Sequence, residues 1–303
     1  MMGKKITSER VFFKFDPDIS PIAKVHPNES IIIETRDCFS NQIKDESQQI
    51  SSIDFSQVNP ATGPIFIEGA KKGDALAVHV RKIKTSDSGL VVAIPGEGFL
   101  GEDVKESRNR KCRVLGNWVE ISGVKVPYRP MIGVIGVASS ERNPTGVPGR
   151  NGGNLDTRQI TEGATVYLPV EFEGALFGIG DLHAAMGDGE ICVSGCEVRG
   201  EVELEFGIIE NLAPPWPIVE YGDSLYIVVS AGSVEDSLKE ASRIVVSALS
   251  NAFSIDWIDA YLLSSLVVDM QISQLVDPKK TVRARIPTSV ISARLLLEAL
   301  RRR

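Results

Sequence analysis

The chain has 303 residues, 43% of them hydrophobic, enough to bury a sizeable core in one large domain or two. Its 33 basic and 40 acidic residues leave a net charge of −7, which gives no support to nucleic-acid binding, and Arg301-Arg302-Arg303 reads as a solvated end. No apolar stretch reaches the ~18 residues of a membrane span, Met1-Met2-Gly3-Lys4-Lys5 is not followed by a signal-like apolar run, and the four cysteines form no CxxC pair, so a cytoplasmic protein with reduced thiols and no membrane contact is expected.

Taken in chain order, most segments up to about residue 230 read as strands. Ser30 to Thr35, Ala75 to Val80, Val202 to Ile208 and Ser224 to Val229 are rich in β-branched and aliphatic residues, several with period-two alternation. Chain reversals at Pro27-Asn28-Glu29, Lys72-Gly73-Asp74 and Tyr221-Gly222-Asp223 precede apolar strands, the pattern of sheets stacked as a sandwich or closed as a barrel. The period then changes. Ser233 followed by Val-Glu-Asp predicts a capped helix carrying Val234, Leu238, Ala241, Val245, Ala248 and Leu249 on one face. A second helix is expected from Asp256 to about Gln274, with Ile258, Leu262, Leu266 and Met270 as its stripe and Pro278 as its stop, and a third from Thr288 to Arg301. The fold class is therefore mainly β, with sandwich- or barrel-like sheets and a helical carboxy-terminal part, α+β as a whole. A β-rich body over 1–230 would carry the site, and 231–303 would pack on it as part of a single functional unit. Apolar helix faces and strand edges make a homodimer the expected assembly.

Chemistry concentrates between Gly180 and Glu190, where Asp181, His183, Asp188 and Glu190 fall within eleven residues that also hold three glycines. On extended backbone, residues i and i+2 share a side, so Asp181 is expected beside His183 and Asp188 beside Glu190. Carboxylates with an imidazole suit a divalent cation, and equally suit metal-free acid/base work. Read blandly, Gly187-Asp188-Gly189 is a hairpin turn with solvated acids. Upstream, the glycines of Gly152-Gly153-Asn154 let backbone pass close to a ligand, which brings Asn154 and Asp156 into consideration; Asp37 sits at a strand end, where an aspartate also caps turns. His26 reads as a surface residue and His79 as a solvent- or sheet-facing one, whereas Cys192 and Cys196, four apart in an expected strand, offer a cysteine nucleophile for His183 as a lesser possibility.

The run Gly-Asp-Leu-His-Ala-Ala-Met-Gly-Asp-Gly-Glu, preceded by Gly152-Gly153-Asn154-Leu155-Asp156, Tyr167-Leu168-Pro169-Val170 and Gly174-Ala175-Leu176-Phe177, resembles the acetamidase/formamidase family. Further blocks follow in the family's order: Phe15-Asp16-Pro17, Glu34-Thr35-Arg36-Asp37, Asn59 to Pro64, Pro95-Gly96-Glu97-Gly98, Asp259 to Leu262, Val276-Asp277 and Arg283 to Pro287, so essentially the whole chain is covered. The resemblance implies hydrolysis of a small aliphatic amide to ammonia and a carboxylate. Two departures stand out. Arg150-Asn151 occupies the place of an expected Pro-His, and Ser40-Asn41-Gln42 that of Gly-Gly-Gln.

On residue chemistry, a divalent ion, with zinc or calcium as leading candidates, would be held by some of Asp37, Asp156, Asp181, His183 and Asp188, and a packed group of acids that cannot all ionise argues for such a cation. Glu190 would move the proton of the attacking water, with His183 and Asp188 as further catalytic candidates and Gly153 and Asn154 beside the substrate. Gly96-Glu97-Gly98 and Phe99 are candidates for narrowing the pocket. Two alternatives stay open: a hydrolase of another C–N bond, such as a larger amide, a lactam or a formylated amine, and a non-catalytic β-rich module holding structural calcium.

Overall fold

The computed structural model describes residues 4–301. Each expected strand forms: Ser30–Thr35, Ala75–Thr85, Gly200–Ile209 and Ser224–Ala231 all lie in one nine-stranded sheet. Along that sheet the order is Lys4–Ile6, Ser30–Thr35, Gly200–Ile209, Ala75–Thr85, Thr165–Pro169, Ile218–Tyr221, Ser224–Ala231, Lys280–Pro287 and Asp269–Gln274. A second, eleven-stranded sheet runs from the hairpin strands between Arg108 and Pro127 through Ser88–Ala93, Glu197–Val198, Phe177–His183 and Met131–Gly136 to Gly152–Asn154, with Ala61–Ile67 alongside Phe177–His183. Ile33, Val78, Leu168 and Phe206 from the first sheet pack with Ile65, Ile132, Ile179 and Leu182 from the second, so the two sheets form a sandwich.

Helices cover the outer face of the nine-stranded sheet. The capped helix is α1 (Val234–Phe253), whose Ser233 hydroxyl accepts a hydrogen bond from the Asp236 N–H at 3.1 Å. Ile244, Val245 and Leu249 of α1, together with Leu296 and Leu300, pack on Leu225, Ile227, Val229, Val282 and Ile286. The strand Ser224–Ala231 is therefore buried on both faces, its alternate residues Tyr226 and Val228 pointing into the sandwich. No described helix is long and apolar enough to cross a membrane.

The second helix is shorter than its periodicity predicts. It is α2 (Trp257–Val267), and Asp269–Gln274 is instead an edge strand, antiparallel to Lys280–Pro287. The β-branched pair Val267-Val268 ends the helix ahead of Pro278, and a partner strand is available to Gln271 and Ile272 that local periodicity does not reveal. Ile258, Leu262 and Leu266, expected to pack, are exposed. The third helix, α3 (Ala293–Arg301), begins later than expected, because Val290 donates to the Pro287 carbonyl in a turn and Ser292 caps the helix through the Leu295 N–H.

Phe177 opens the strand that ends in His183 and meets Phe206 edge-on, with ring centroids 5.1 Å apart. Phe177→Ala leaves a cavity between the sheets, and denaturant unfolding is expected to show a loss of about 3–5 kcal/mol; a loss under about 1 kcal/mol would mean that the sandwich closes over the gap.

Candidate active site

Three neighbouring strands set the site. Phe177–His183 pairs with Met131–Gly136 on one side and with Glu197–Val198 on the other, in a register that puts Glu197 directly opposite His183. Asp156 follows the short strand Gly152–Asn154, and Glu190 lies in the turn beyond His183. The side chains converge: His183 Nε2 is 3.1 Å from Glu197 Oε1, 3.4 Å from Asp181 Oδ1, and 3.9 Å from both Asp156 Oδ1 and Glu190 Oε1. All five residues are buried.

Backbone geometry makes the convergence possible. Asp156, Asp181 and Glu190 all have positive φ, at 39°, 53° and 48°, a region sparsely used by residues with side chains and one that concentrates at functional sites. Two glycines leave the space. A Cβ on Gly133 would stand 2.3 Å from Asp181 Oδ2 and 2.5 Å from Asp156 Oδ1, and one on Gly195 would stand 2.5 Å from His183 Nδ1.

Electrostatics show what the cluster lacks. Burial, aided by the charges of Asp181 and Asp277, raises the Asp156 carboxyl well above the usual range; burial and the Asp156 charge do the same at Glu190, and burial and the Glu190 charge at Asp277. Burial pushes Glu197 up to about 7, against the pull of His183. At Asp181 burial opposes ionisation, yet the charge of the neighbouring His183 imidazole, 3.4 Å away, outweighs it and keeps the carboxyl low. Burial likewise works against a charged His183, but Glu197 and Asp181 outweigh it and raise the imidazole well above its ordinary value. Even so, Asp156 Oδ1 and Oδ2, Asp181 Oδ1, both His183 ring nitrogens, Glu190 Oε2, Glu197 Oε2, Asn154 Oδ1 and Asp277 Oδ2 are buried without a hydrogen-bond partner. Buried polar atoms are normally satisfied, so this concentration marks a place built for something else to bind. Two ligand-like groups can be drawn within it: Asp156, His183 and Glu190, and Cys38, Asp181 and Glu197, the atoms of each group lying within 4.8 Å of one another.

Asp181 and His183 do share a side. Asp188 and Glu190 do not, because the segment turns: Glu190 N–H bonds back to Gly187 O at 3.2 Å and Gly189 has φ 99°. Asp188 faces away from the cluster, held by Arg158 Nε and Nη2 at 2.8 and 2.7 Å and by Arg283 Nη2 at 2.7 Å. Burial opposes its ionisation, and the two guanidinium groups outweigh that and hold it low. Asp37 also stands apart from both groups; its Oδ1 accepts from the Asn41 N–H at 2.7 Å, closing a loop in which Ser40 and Asn41 both take positive φ, the conformation a glycine adopts freely. Gly153 meets backbone rather than an open space, since a Cβ there would lie 2.4 Å from Val147 O. Asn154 lines the cavity, its Nδ2 donating to Asp277 Oδ1 at 3.4 Å.

Glu197, Asp277 and Cys38 join the expected residues. Glu197 is signalled only by strand register, and Asp277 only by a motif some ninety residues from Glu190. Of the departures noted above, Arg150 stacks its guanidinium 5.3 Å over the Trp216 ring and Asn151 donates to Val137 O at 2.9 Å; neither lines the cavity. Cys192 and Cys196 sit in a turn-rich segment rather than a strand, with Cys196 packed in the core against Gly89. Glu97 borders the cavity, whereas Phe99 is exposed and outside its lining.

The family model described as the Acetamidase/Formamidase family matches residues 3–146 and 141–293. The chain belongs to that family. An acetamidase crystal structure from Bacillus halodurans is 39% identical with a TM-score of 0.91, covering 94% of this chain and 97% of that one. An acetamidase from Yersinia enterocolitica is 29% identical with a TM-score of 0.89, covering 96% and 93%. A formamidase from Methylophilus methylotrophus is 26% identical over 259 residues, 65% of this chain, which spans 64% of that protein's length. Hydrolysis of linear amides is accordingly the reaction of this acetamidase/formamidase family member.

Gly133→Ala and Gly195→Ala test the cradle. Each is expected to cut amidase activity by at least tenfold while costing about 1–3 kcal/mol of stability, the range for overpacking; full activity in either variant would show that the carboxylates and imidazole need not stand where they do.

Proposed function

We propose that the protein hydrolyses a small linear amide, formamide or acetamide serving as reference substrates, at the His183 cluster with the help of a divalent cation. The observation that carries this reading is the burial of four carboxylates around one imidazole with their polar atoms left unpartnered. The donors fit a cation: Asp156, His183 and Glu190 in one group, Cys38, Asp181 and Glu197 in the other, with Asp277 and Asn154 beside them. Carboxylates favour calcium; a histidine and a thiol favour zinc. When bound, such an ion supplies Lewis-acid polarisation of a carbonyl and a water of lowered pKa.

The remaining roles belong to the chain. Glu190, which lines the cavity with its Oε2 free of any hydrogen bond, acts as the carboxylate once a cation offsets the neighbouring acids: it takes the proton of the attacking water and returns it to the departing nitrogen. Asn154 Oδ1 accepts from the substrate amide N–H, its Nδ2 being turned to Asp277. Asp188 acts as a positioning residue: with Arg158 and Arg283 it anchors the turn whose next members are Gly189 and Glu190. That turn is also tied to the carboxy-terminal part by Gly189 N–H to Ser273 O at 2.7 Å and by Leu275 N–H to Gly189 O at 3.0 Å. Residues 1–230 and 231–303 thus act as one functional unit in this reading.

Ammonia release from formamide, acetamide and propionamide is to be measured before and after chelation, with zinc, calcium and manganese restored singly. Activity should vanish on chelation and return with one ion, and that ion at a hundred times its Kd should raise stability by about 2.7 kcal/mol. Glu190→Gln is expected to lower kcat about 10²–10⁴-fold with the fold intact. Unchanged turnover in that variant would remove Glu190 from the chemistry, and activity indifferent to chelation would remove the cation.

The exposed face of α2 supports a homodimer. Trp257, Ile258, Tyr261, Leu262 and Leu266 are between 52% and 83% exposed, and the adjoining edge strand adds Met270 and Ile272. Side chains of this size bury ~150–250 Å² each when aromatic, so the face offers several hundred Å², approaching the ~800 Å² per partner of a stable interface. A second copy of this chain is the proposed occupant. Sedimentation is expected to give twice the 32.9 kDa of the chain, and the double variant L262D/L266D to give the monomer; a monomeric parent protein would refute it.

A further inference from the structure

Asp181, Glu190, Glu197 and Asp277 line a cavity of about 580 Å³. Acetamide has roughly the bulk of three waters, about 90 Å³ at ~30 Å³ each in the liquid, so the namesake substrates leave most of this space unused. Cavities of ~300–1,000 Å³ are the size that receives drug-sized molecules. Apart from Cys38, Asn59, Glu97 and Asn154, the rest of the lining is apolar: Phe39, Phe55, Val58, Val92, Ile94 and Val193. These side chains are not scattered, because Phe39 and Val92 belong to one buried cluster against which Val58, Ile94 and Val193 pack. Phe55 stands half exposed at 50%, an aromatic face without a covering group.

Resting on amide hydrolysis at this site, we propose that the protein acts on primary amides of bulky apolar carboxylic acids, with an acyl group of about five to eight carbons lying along the wall from Phe39 and Phe55 to Ile94 and Val193. The amide then reaches Asn154 and Glu190 while the hydrocarbon covers the wall and displaces water from it. Water adds through oxygen to the amide carbonyl carbon, the C–N bond breaks, and the water proton passes through Glu190 to the nitrogen, leaving a fatty or arylalkyl carboxylic acid and ammonia. Glu97 at the cavity's border and the apolar wall, which cannot solvate a charge, disfavour acyl groups that carry a carboxylate. Each buried methylene favours binding by about fourfold, and even a partly covered chain should gain tenfold.

The test uses the full chain loaded with its activating ion. The values of kcat/KM are compared for acetamide, hexanamide, phenylacetamide and succinamic acid. Hexanamide and phenylacetamide should exceed acetamide by at least tenfold, mainly through KM, with succinamic acid the poorest of the four. Equal or better use of acetamide would overturn the proposal and leave amide hydrolysis standing. Phe55→Ala and Val58→Ala, both at partly exposed positions, should each lower the phenylacetamide-to-acetamide ratio by severalfold; a ratio unmoved in both overturns the wall assignment. If no amide is turned over, saturation-transfer NMR separates the two readings: hexanamide bound at least tenfold tighter than acetamide supports the apolar subsite without hydrolysis, and equal binding refutes it.

Discussion

Four buried carboxylates within 4 Å of one imidazole constitute an unfavourable arrangement that the rest of the structure must hold in place. Removing a single carboxylate from water costs several kcal/mol after relaxation, and one histidine cannot compensate four. The structure answers with rigidity. His183 is fixed by strands on both sides, Asp181 and Asp156 press against the bare backbone of Gly133, and the ring of His183 rests over Gly195. Positive φ at Asp156, Asp181 and Glu190 adds local strain that only a well-packed surround sustains. The sandwich core supplies that surround, with Ile179 and Leu182 of the same strand wholly buried between the sheets.

The same constraint explains the division of labour among the acids. Asp156, Glu190 and Asp277 are driven toward the neutral form by burial, while Asp181 stays ionised through its contacts with His183. Carboxyl groups whose environments push them toward different protonation states thus lie side by side in one pocket. Asp188 satisfies its own charge with two arginines at the margin, and so fixes the turn without adding to the repulsion inside.

Much of this was legible along the chain, and the failures share a cause. Period-two alternation located the strands and placed Asp181 beside His183, which the structure keeps together although Asp181 takes a positive φ within its strand. The same rule misplaced Asp188, since it assumes extended backbone where Gly187 to Glu190 turns sharply. Glu197 could be found only from register and Cys38 only from tertiary contact, while Asp277 stood in a matching motif whose nearness to Glu190 only the fold reveals. The overrun of α2 has the same origin: a helical stripe continued on paper into Met270, whereas Arg283 on the neighbouring strand hydrogen-bonds Gln271 and the Ile272 carbonyl in a hairpin. Gly153 shows the converse, a glycine whose freedom serves chain packing against Val147 rather than a ligand.

The bridge between Gly189 and Gln274 has a temporal consequence. A ribosome emits the His183 strand some ninety residues before it emits the segment that braces the Glu190 turn and adds Asp277. The hairpin of Asp269–Gln274 and Lys280–Pro287 therefore reaches the cluster only after its acids have been made, and it completes the site by bracing the Glu190 turn and bringing Asp277 to the cavity.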